Sequence, residues 1–203
     1  MSNLNLDWKP EFGTIYTWFA MDKNGLISIM INNNWGDIPK VILSLDKAEN
    51  LLDNLNEYIW EDSLLFNQYP KYKEGITILD LYSHLFFPKS RIEVERIIHE
   101  RSINTSRITE YNIPARKGFI IYHAVDGDNE DMDYPVGYSG RTKMGDYFRY
   151  LVPSIYVNTN DIPKDLWCAI AASDNLDFTK DRLLDNDQIN SYFKYRVDEL
   201  YKV

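Results

Sequence analysis

The sequence predicts an α+β fold in which a mostly antiparallel sheet, with an N-terminal hairpin at its core, is flanked by about three to five helices. Strand-like and helix-like segments follow one another without the regular strand–helix alternation of a parallel sheet. The first strand pair is apolar on both faces, which is typical of the middle of a sheet. Because no internal repeat or long linker interrupts the chain, we expect residues 1–203 to form a single domain.

The hairpin is predicted by two apolar runs that flank a turn. Residues 14–20 (TIYTWFA) are rich in β-branched and aromatic side chains, and residues 26–31 (LISIMI) form the return strand. Between them lies DKNG, in which Gly25 supplies the positive φ that the turn requires. Alternate side chains of the return strand point to opposite faces, and neither set is polar. We therefore expect burial at the centre of the sheet for Phe19, Ile27, Ile29 and Met30.

A loop and a helix follow the hairpin. Gly36 and Pro39 interrupt the apolar pattern, and Ser44 is a preferred N-cap residue, so a helix is predicted from there to about Trp60. Its buried stripe consists of Leu45, Ala48, Leu51, Leu52, Leu55 and Ile59. Residues 61–88 fit either a strand or a helix, whereas a capping-box pattern predicts a short helix at residues 90–102.

The second half of the chain predicts further strands and a terminal helix. GFIIYHAV (118–125) is strongly strand-like, and residues 147–157 hold one or two more strands, interrupted at Pro153. Residues 160–172 open with a turn and are compatible with a short helix. A final helix is predicted from about Asp185. Its apolar stripe consists of Ile189, Tyr192, Phe193, Val197, Leu200 and Tyr201.

The overall charge restricts the class of partner. Lys and Arg number 22 against 31 Asp and Glu, so the formal net charge is -9. This balance argues against a nucleic-acid partner, because phosphates would be repelled. It permits a basic protein partner, whose encounter with an acidic surface is accelerated, although the same charge also serves simple solubility.

The cysteine count and the hydropathy pattern predict a cytoplasmic protein without a membrane partner. Cys168 is the single cysteine, which excludes an intrachain disulfide and favours a reducing compartment. The N-terminus has neither the basic nor the apolar region of a signal peptide. No apolar run approaches the ~20 residues that a membrane helix needs.

An acidic loop is the first candidate binding site. The segment DGDNEDMD (126–133) carries five acids in eight residues: Asp126, Asp128, Glu130, Asp131 and Asp133. A calcium loop would need Gly at its sixth position and Glu at its twelfth, where this chain has Asp131 and Gly137. We therefore interpret the segment as either a solvated hairpin loop or a docking point for a cationic partner.

No catalytic, cofactor or metal site is predicted. His84, His99 and His123 are far apart in the sequence and form no recognisable ligand pair. Gly140 and Gly145 have the spacing of a phosphate-binding loop, but Asp146 stands where that loop requires Lys. Convergence of the three histidines in space is the alternative, and it would favour an enzyme.

Aromatic side chains near the loops are the second candidate. Trp35 lies between three Asn and a Gly, where it either folds back onto the sheet or is offered to a partner. Trp and Tyr commonly anchor protein interfaces. We therefore add Trp35, with Tyr134 and Tyr138 beside the acidic loop, to the candidate partner-binding residues.

The N-terminal region resembles a group of uncharacterised bacterial proteins that share the pattern W-[FY]-A-x-D-x-x-G-x-[IV], followed by a Gly-containing loop and a Pro. In this sequence the pattern falls on Trp18, Phe19, Ala20, Asp22, Gly25, Ile27, Gly36 and Pro39. In size, in acidity and in its variable middle, the chain is similar in general character to bacterial immunity proteins, which neutralise toxin domains.

These observations favour binding over catalysis. The first hypothesis is an immunity protein that occludes a basic toxin domain through acidic loops and exposed aromatic side chains. The alternative is a small hydrolase-like enzyme whose Asp, Glu and His residues converge only in the fold. A third option is a subunit that forms a homodimer through its two-faced sheet.

Overall fold

The computed structural model describes residues 4–67, 77–79, 81–82, 96, 116–126, 134–135 and 141–201. The strands are β1 (Thr17–Met21), β2 (Ile27–Ile31), β3 (Thr77–Leu79), β4 (Leu81–Tyr82), β5 (Ile120–Ala124), β6 (Tyr134–Pro135), β7 (Tyr147–Pro153), β8 (Ile170–Ala172), β9 (Leu183–Leu184) and β10 (Tyr195–Arg196). The α-helices that are described over their whole length are α1 (Lys40–Leu43), α2 (Ala48–Trp60), α3 (Ile189–Tyr192) and α4 (Val197–Tyr201). Short 3-10 helices lie at Thr159–Asp161, Lys164–Ala169 and Asn186–Gln188.

Among the described residues, the main sheet has eight strands in the order β10-β8-β1-β2-β5-β7-β3, with β9 paired to β7 outside this path. Two pairs, β1 with β8 and β2 with β5, are parallel, and the other pairs are antiparallel. Strands β4 and β6 form a separate two-stranded sheet. The predicted α+β fold, with a mostly antiparallel sheet and flanking helices, is confirmed.

The hairpin of β1 and β2 occupies the centre of the main sheet, as predicted. All four side chains expected to be buried there, Phe19, Ile27, Ile29 and Met30, are at most 5% exposed. Trp18 on the opposite face of β1 from Phe19 is also fully buried, so both faces of the hairpin are covered. Gly25 has φ of 79°, in the region that glycine adopts without steric cost.

The turn of this hairpin is organised by the buried carboxylate of Asp22. Its Oδ1 accepts hydrogen bonds from the backbone N–H groups of Asn24 and Leu26, both at 2.9 Å. Its Oδ2 accepts from the backbone N–H of Phe178 at 2.9 Å. Donors from both the turn and a distant loop compensate for removing this charge from water. Asp22 therefore has a structural role in attaching residues 173–181 to the centre of the sheet.

The prediction that Ser44 begins a long helix is wrong. The short helix α1 occupies residues before it, and Ser44 is the C-cap of that helix. The Ser44 hydroxyl donates to the carbonyl of Val41 at 3.1 Å, so it does not cap the following helix. Helix α2 starts instead at Ala48, after Lys47 in a left-handed conformation, and ends at Trp60 as predicted. Within the predicted stripe, Leu45 and Leu51 are half-buried and the remaining members are buried.

The prediction of one continuous C-terminal helix is also wrong. The chain forms a 3-10 turn and α3, then leaves the helical path for β10, and then forms α4. In β10, Tyr195 pairs with Ala172 and Arg196 pairs with Ala171 at the edge of the sheet. Backbone pairing with β8 therefore competes with helix continuation. Of the predicted stripe, Ile189, Phe193 and Val197 are buried, whereas Leu200 and Tyr201 are exposed.

The remaining predictions are confirmed in part. Strand β5 lies within residues 118–125, and β7 ends at Pro153. The short helix expected at residues 160–172 is a 3-10 helix, and the strand β8 that follows it was not predicted. Residues 90–102, apart from Arg96, and most of residues 68–88 lie outside the described part of the chain.

Candidate partner-binding surface

The topology of the central strands gathers several loops at one end of the sheet. Because β2 and β5 are parallel, their carboxyl ends lie together. Strand β7 is antiparallel to β5 and starts at this end, and β9, which is antiparallel to β7, finishes there. The loops gathered at this end are residues 32–37, 125–126, 141–146 and 185–188. We call this set of loops the acidic edge.

The loop that carries Trp35 is shaped by the asparagines before it. Asn33 and Asn34 have φ of 43° and 68°, in the left-handed region that Asn tolerates better than most residues. The side-chain oxygen of Asn32 accepts a hydrogen bond from the backbone N–H of Tyr16 at 2.6 Å. The backbone carbonyl of Asn32 accepts one from the backbone N–H of Gly36 at 2.7 Å. The Asn33 amide donates to the carbonyl of Ala124 at 3.1 Å, which joins this loop to the end of β5. The asparagine run is therefore structural.

The structure brings together two of the predicted partner-binding residues. The indole Nε1 of Trp35 donates to Oδ1 of Asp126 at 3.3 Å, and both residues are half-buried. Trp35 therefore contacts the neighbouring loop through its indole N–H, and part of its side chain remains exposed to solvent. Tyr134 lies in β6, paired with β4. The other predicted residues lie outside the described part of the chain: Asp128, Glu130, Asp131, Asp133 and Tyr138.

Further carboxylates at the acidic edge were missed by the sequence analysis. The exposed Nζ of Lys143 binds Oδ1 of Asp185 at 2.9 Å and Oδ2 of Asp187 at 2.7 Å. The buried Asp146 accepts from the backbone N–H of Lys143 at 2.8 Å and from that of Asn186 at 2.9 Å. Asn186 in turn accepts from the backbone N–H of Asp37 at 2.8 Å.

Burial and mutual repulsion set the ionisation of these groups. Burial raises the pKa of Asp37, and the nearby charge of Asp187 raises it further, against the opposing effect of Lys9. Burial also raises the pKa of Asp146, although hydrogen bonds from the backbone of Asn186 and Lys143 oppose this. Hydrogen bonding to Lys143 lowers the pKa of Asp185, which is therefore ionised at neutral pH.

Tyr147 packs in the core beneath the loop of residues 32–37 and is hydrogen-bonded to it. The hydroxyl of this buried residue donates to the carbonyl of Asp37 at 3.0 Å. A Cβ atom at Gly36 would lie 2.5 Å from the Tyr147 ring, so only glycine allows the loop to approach this closely. A Cβ atom at Gly145 would similarly lie 2.5 Å from the carbonyl oxygen of Trp35. Close backbone approach therefore fixes the positions of the loops.

Several residues of the N-terminal pattern W-[FY]-A-x-D-x-x-G-x-[IV] and of the Gly and Pro that follow it have structural roles in this chain. Trp18 contacts Tyr147 in the core, Asp22 organises the hairpin turn, and Gly36 gives room to Tyr147. Pro39 is the N-cap residue of α1. These residues build the sheet and the loop at the acidic edge, and the predicted partner-binding residue Trp35 lies in that loop, directly before Gly36.

Comparison with protein-family models, with curated proteins and with solved structures found no match. Among the described residues, no three His, Cys, Asp or Glu side chains are grouped so that they could hold a metal ion. None of the helices in the described ranges combines the length and apolar character required to cross a membrane.

Proposed function

We propose that this chain is a cytoplasmic bacterial binding protein, an immunity protein that neutralises a basic toxin domain by covering it. The observation that carries the proposal is the acidic edge, where the ends of the central strands place Trp35 and five carboxylates in neighbouring loops. Trp35 donates to Asp126, and Lys143 pairs with Asp185 and Asp187, so the carboxylates outnumber this lysine. The five carboxylates are those of Asp37, Asp126, Asp146, Asp185 and Asp187. A surface of this composition offers both long-range attraction for a cation and an aromatic side chain for close contact.

The ionisation of the acidic edge gives the proposal further support. Burial holds the pKa of Asp37 and the pKa of Asp146 above their ordinary values, so their charged forms are disfavoured in the free protein. A lysine or arginine from a partner would stabilise the charged form of the half-buried Asp37 by direct contact, and that of the buried Asp146 through its longer-range field, and would lower both pKa values. The complex would then bind fewer protons than the free protein, and affinity would rise with pH across the range in which these groups titrate.

Association kinetics test this function. A partner captured from the source cell is purified, and its association rate is measured at ~0.01 M and ~0.15 M salt, where Debye lengths are ~30 and ~8 Å. The test variant combines Asp185→Asn and Asp187→Asn, and Asn keeps the capping ability of residue 185. The matched control combines Asp53→Asn and Glu57→Gln on the exposed face of α2, with the same change in net charge.

We expect slower association of the Asp185 and Asp187 variant at low salt, and little effect of the α2 variant. Toxin activity should be inhibited by the wild-type chain in proportion to the complex formed. If the α2 variant slows association and the acidic-edge variant does not, the binding face lies on α2. Capture of no basic protein, together with measured turnover of a small substrate, would favour the hydrolase alternative.

A further inference from the structure

The segment before β1 exposes apolar side chains although its backbone is anchored. Leu4 is buried, and Trp8 packs edge-to-face against Tyr16 with ring centroids 5.7 Å apart. Between these contacts, Phe12 is 83% exposed and Ile15 is 62% exposed. Single exposed apolar residues are ordinary, whereas this anchored segment exposes two large apolar side chains within four residues. We call Phe12 and Ile15 the N-terminal patch.

The N-terminal patch lies at the same end of the sheet as the acidic edge. Strand β1 is antiparallel to β2, so β1 begins where β2 ends. The backbone N–H of Gly13 donates to the side chain of Asn34 at 3.0 Å, and the Asn32 amide donates to the carbonyl of Thr14 at 3.4 Å. These bonds attach the segment to the loop that carries Trp35.

We infer that the N-terminal patch and the acidic edge form one docking surface, whose occupant is a basic protein that presents an apolar side chain among its lysines or arginines. This inference rests on the proposed function and deepens it. Charge steers the encounter, and Phe12 and Ile15 supply the apolar burial that holds the complex together.

Charge complementarity selects a basic partner over a second copy of this chain. In a two-fold dimer through this surface, each subunit would present the same patch to its partner. The acidic edge of one subunit would then face the acidic edge of the other, and Lys143 offsets only part of the charge of Asp126, Asp185 and Asp187. Repulsion between two such surfaces, on chains of net charge -9, disfavours this dimer.

Two fluorescent peptides of equal positive charge distinguish the two contributions. One contains only lysine and glycine, and the other contains lysine and leucine. Their affinities are measured by fluorescence anisotropy against the wild type and against a Phe12→Ala, Ile15→Ala variant. The matched control is Ile155→Ala, because Ile155 is 44% exposed and follows β7 at the opposite end of the sheet. The Asp185→Asn, Asp187→Asn variant reports on the acidic edge.

We expect the wild type to bind the lysine–leucine peptide roughly tenfold more tightly than the lysine–glycine peptide, and the patch variant to lose this preference. The Ile155 control should keep it, and the acidic-edge variant should bind both peptides more weakly. Equal binding of both peptides by the wild type, still weakened in the acidic-edge variant, would overturn this inference and leave the proposed function standing. Binding of neither peptide would contradict both. Because Phe12 and Ile15 are exposed, the thermal midpoint of the patch variant should match that of the wild type.

Discussion

The indole Nε1 of Trp18 donates a hydrogen bond to the hydroxyl of Tyr147 at 2.9 Å, although 129 positions separate the two residues in the sequence. Their rings meet edge-on, with centroids 5.7 Å apart. The same hydroxyl donates to the carbonyl of Asp37. One buried tyrosine thus connects the central strand β1 to the loop that carries Trp35, and core stability is coupled to the acidic edge.

Replacing Tyr147 with Phe tests this connection. The substitution leaves the buried Trp18 indole without its acceptor and the carbonyl of the half-buried Asp37 without this donor. We expect the free energy of unfolding to fall by about 1–3 kcal/mol, the usual cost of an unsatisfied buried group. Chemical denaturation measures the change, and Tyr195→Phe, at a position 41% exposed, is the control. Equal stability of the Tyr147 variant and the wild type would show that this bond contributes nothing.

Replacing Ile29 with Ala tests the central place of the hairpin. Ile29 is 5% exposed and pairs with Phe19 in β1 and Ile121 in β5. Truncation of a buried aliphatic side chain leaves a cavity, so we expect a loss of about 2–5 kcal/mol. The matched control, Ile15→Ala, removes the same atoms from an exposed position. A denaturation midpoint equal to that of the wild type would place the hairpin at the periphery.

The stability at low pH should depend on Asp177. Hydrogen bonds from Thr179, followed by those from Lys180, lower the pKa of Asp177 from 3.8 to about 2. A lowered pKa in the folded state stabilises the fold fully above pH 3.8, and this contribution is lost as pH falls toward 2. The stability difference between wild type and Asp177→Asn should therefore shrink over this interval.

Thr179→Ala is the informative companion of Asp177→Asn, because the Thr179 hydroxyl lies 2.5 Å from Oδ1 of Asp177. It should remove much of the same pH dependence while keeping the carboxylate. Unfolding curves between pH 5 and pH 2 measure both variants. A difference that stays constant across this range would show that Asp177 does not titrate as described.

The predicted acidic loop has a separate test. Asp128→Asn, Glu130→Gln and Asp131→Asn together remove three charges from the segment that follows Asp126. If the loop steers a partner, the triple variant should associate more slowly, and added salt should slow the wild type in the same way. We expect little change in fold stability, because the sequence predicts a solvated loop here and such loops contribute little to stability. An unchanged association rate would remove the loop from the interface.

The sequence predicted the structural features that depend on neighbouring residues, and it missed those that depend on residues far apart in the chain. The hairpin was predictable because the two apolar runs and the turn residue Gly25 lie within one short stretch, residues 14–31. The C-terminal helix was not, since pairing of Tyr195 and Arg196 with β8 depends on residues more than twenty positions away. Ser44 was misassigned because its hydroxyl bonds backward to the carbonyl of Val41 at the end of α1, a local alternative to N-capping that the residue type does not reveal.

For the candidate binding surface, too, local sequence identified some of the residues but not the contacts between them. Trp35 and Asp126 were both selected from local composition, but their contact depends on the parallel pairing of β2 with β5. Asp146 and Asp185 were missed because each looks like an isolated surface acid in the sequence. A carboxylate directly before or after a strand was the available signal, and only the strand order reveals which of these carboxylates meet.

Hydrogen–deuterium exchange of the chain with and without its bound partner tests the central claim most directly. The account predicts slower exchange on binding for backbone amides at residues 32–37, 125–126, 141–146 and 185–188, the loops of the acidic edge. The loops at the opposite end of the sheet, at residues 22–26 and 154–158, should exchange as in the free protein. Protection confined to those opposite loops or to α2, with none at the acidic edge, would contradict the account.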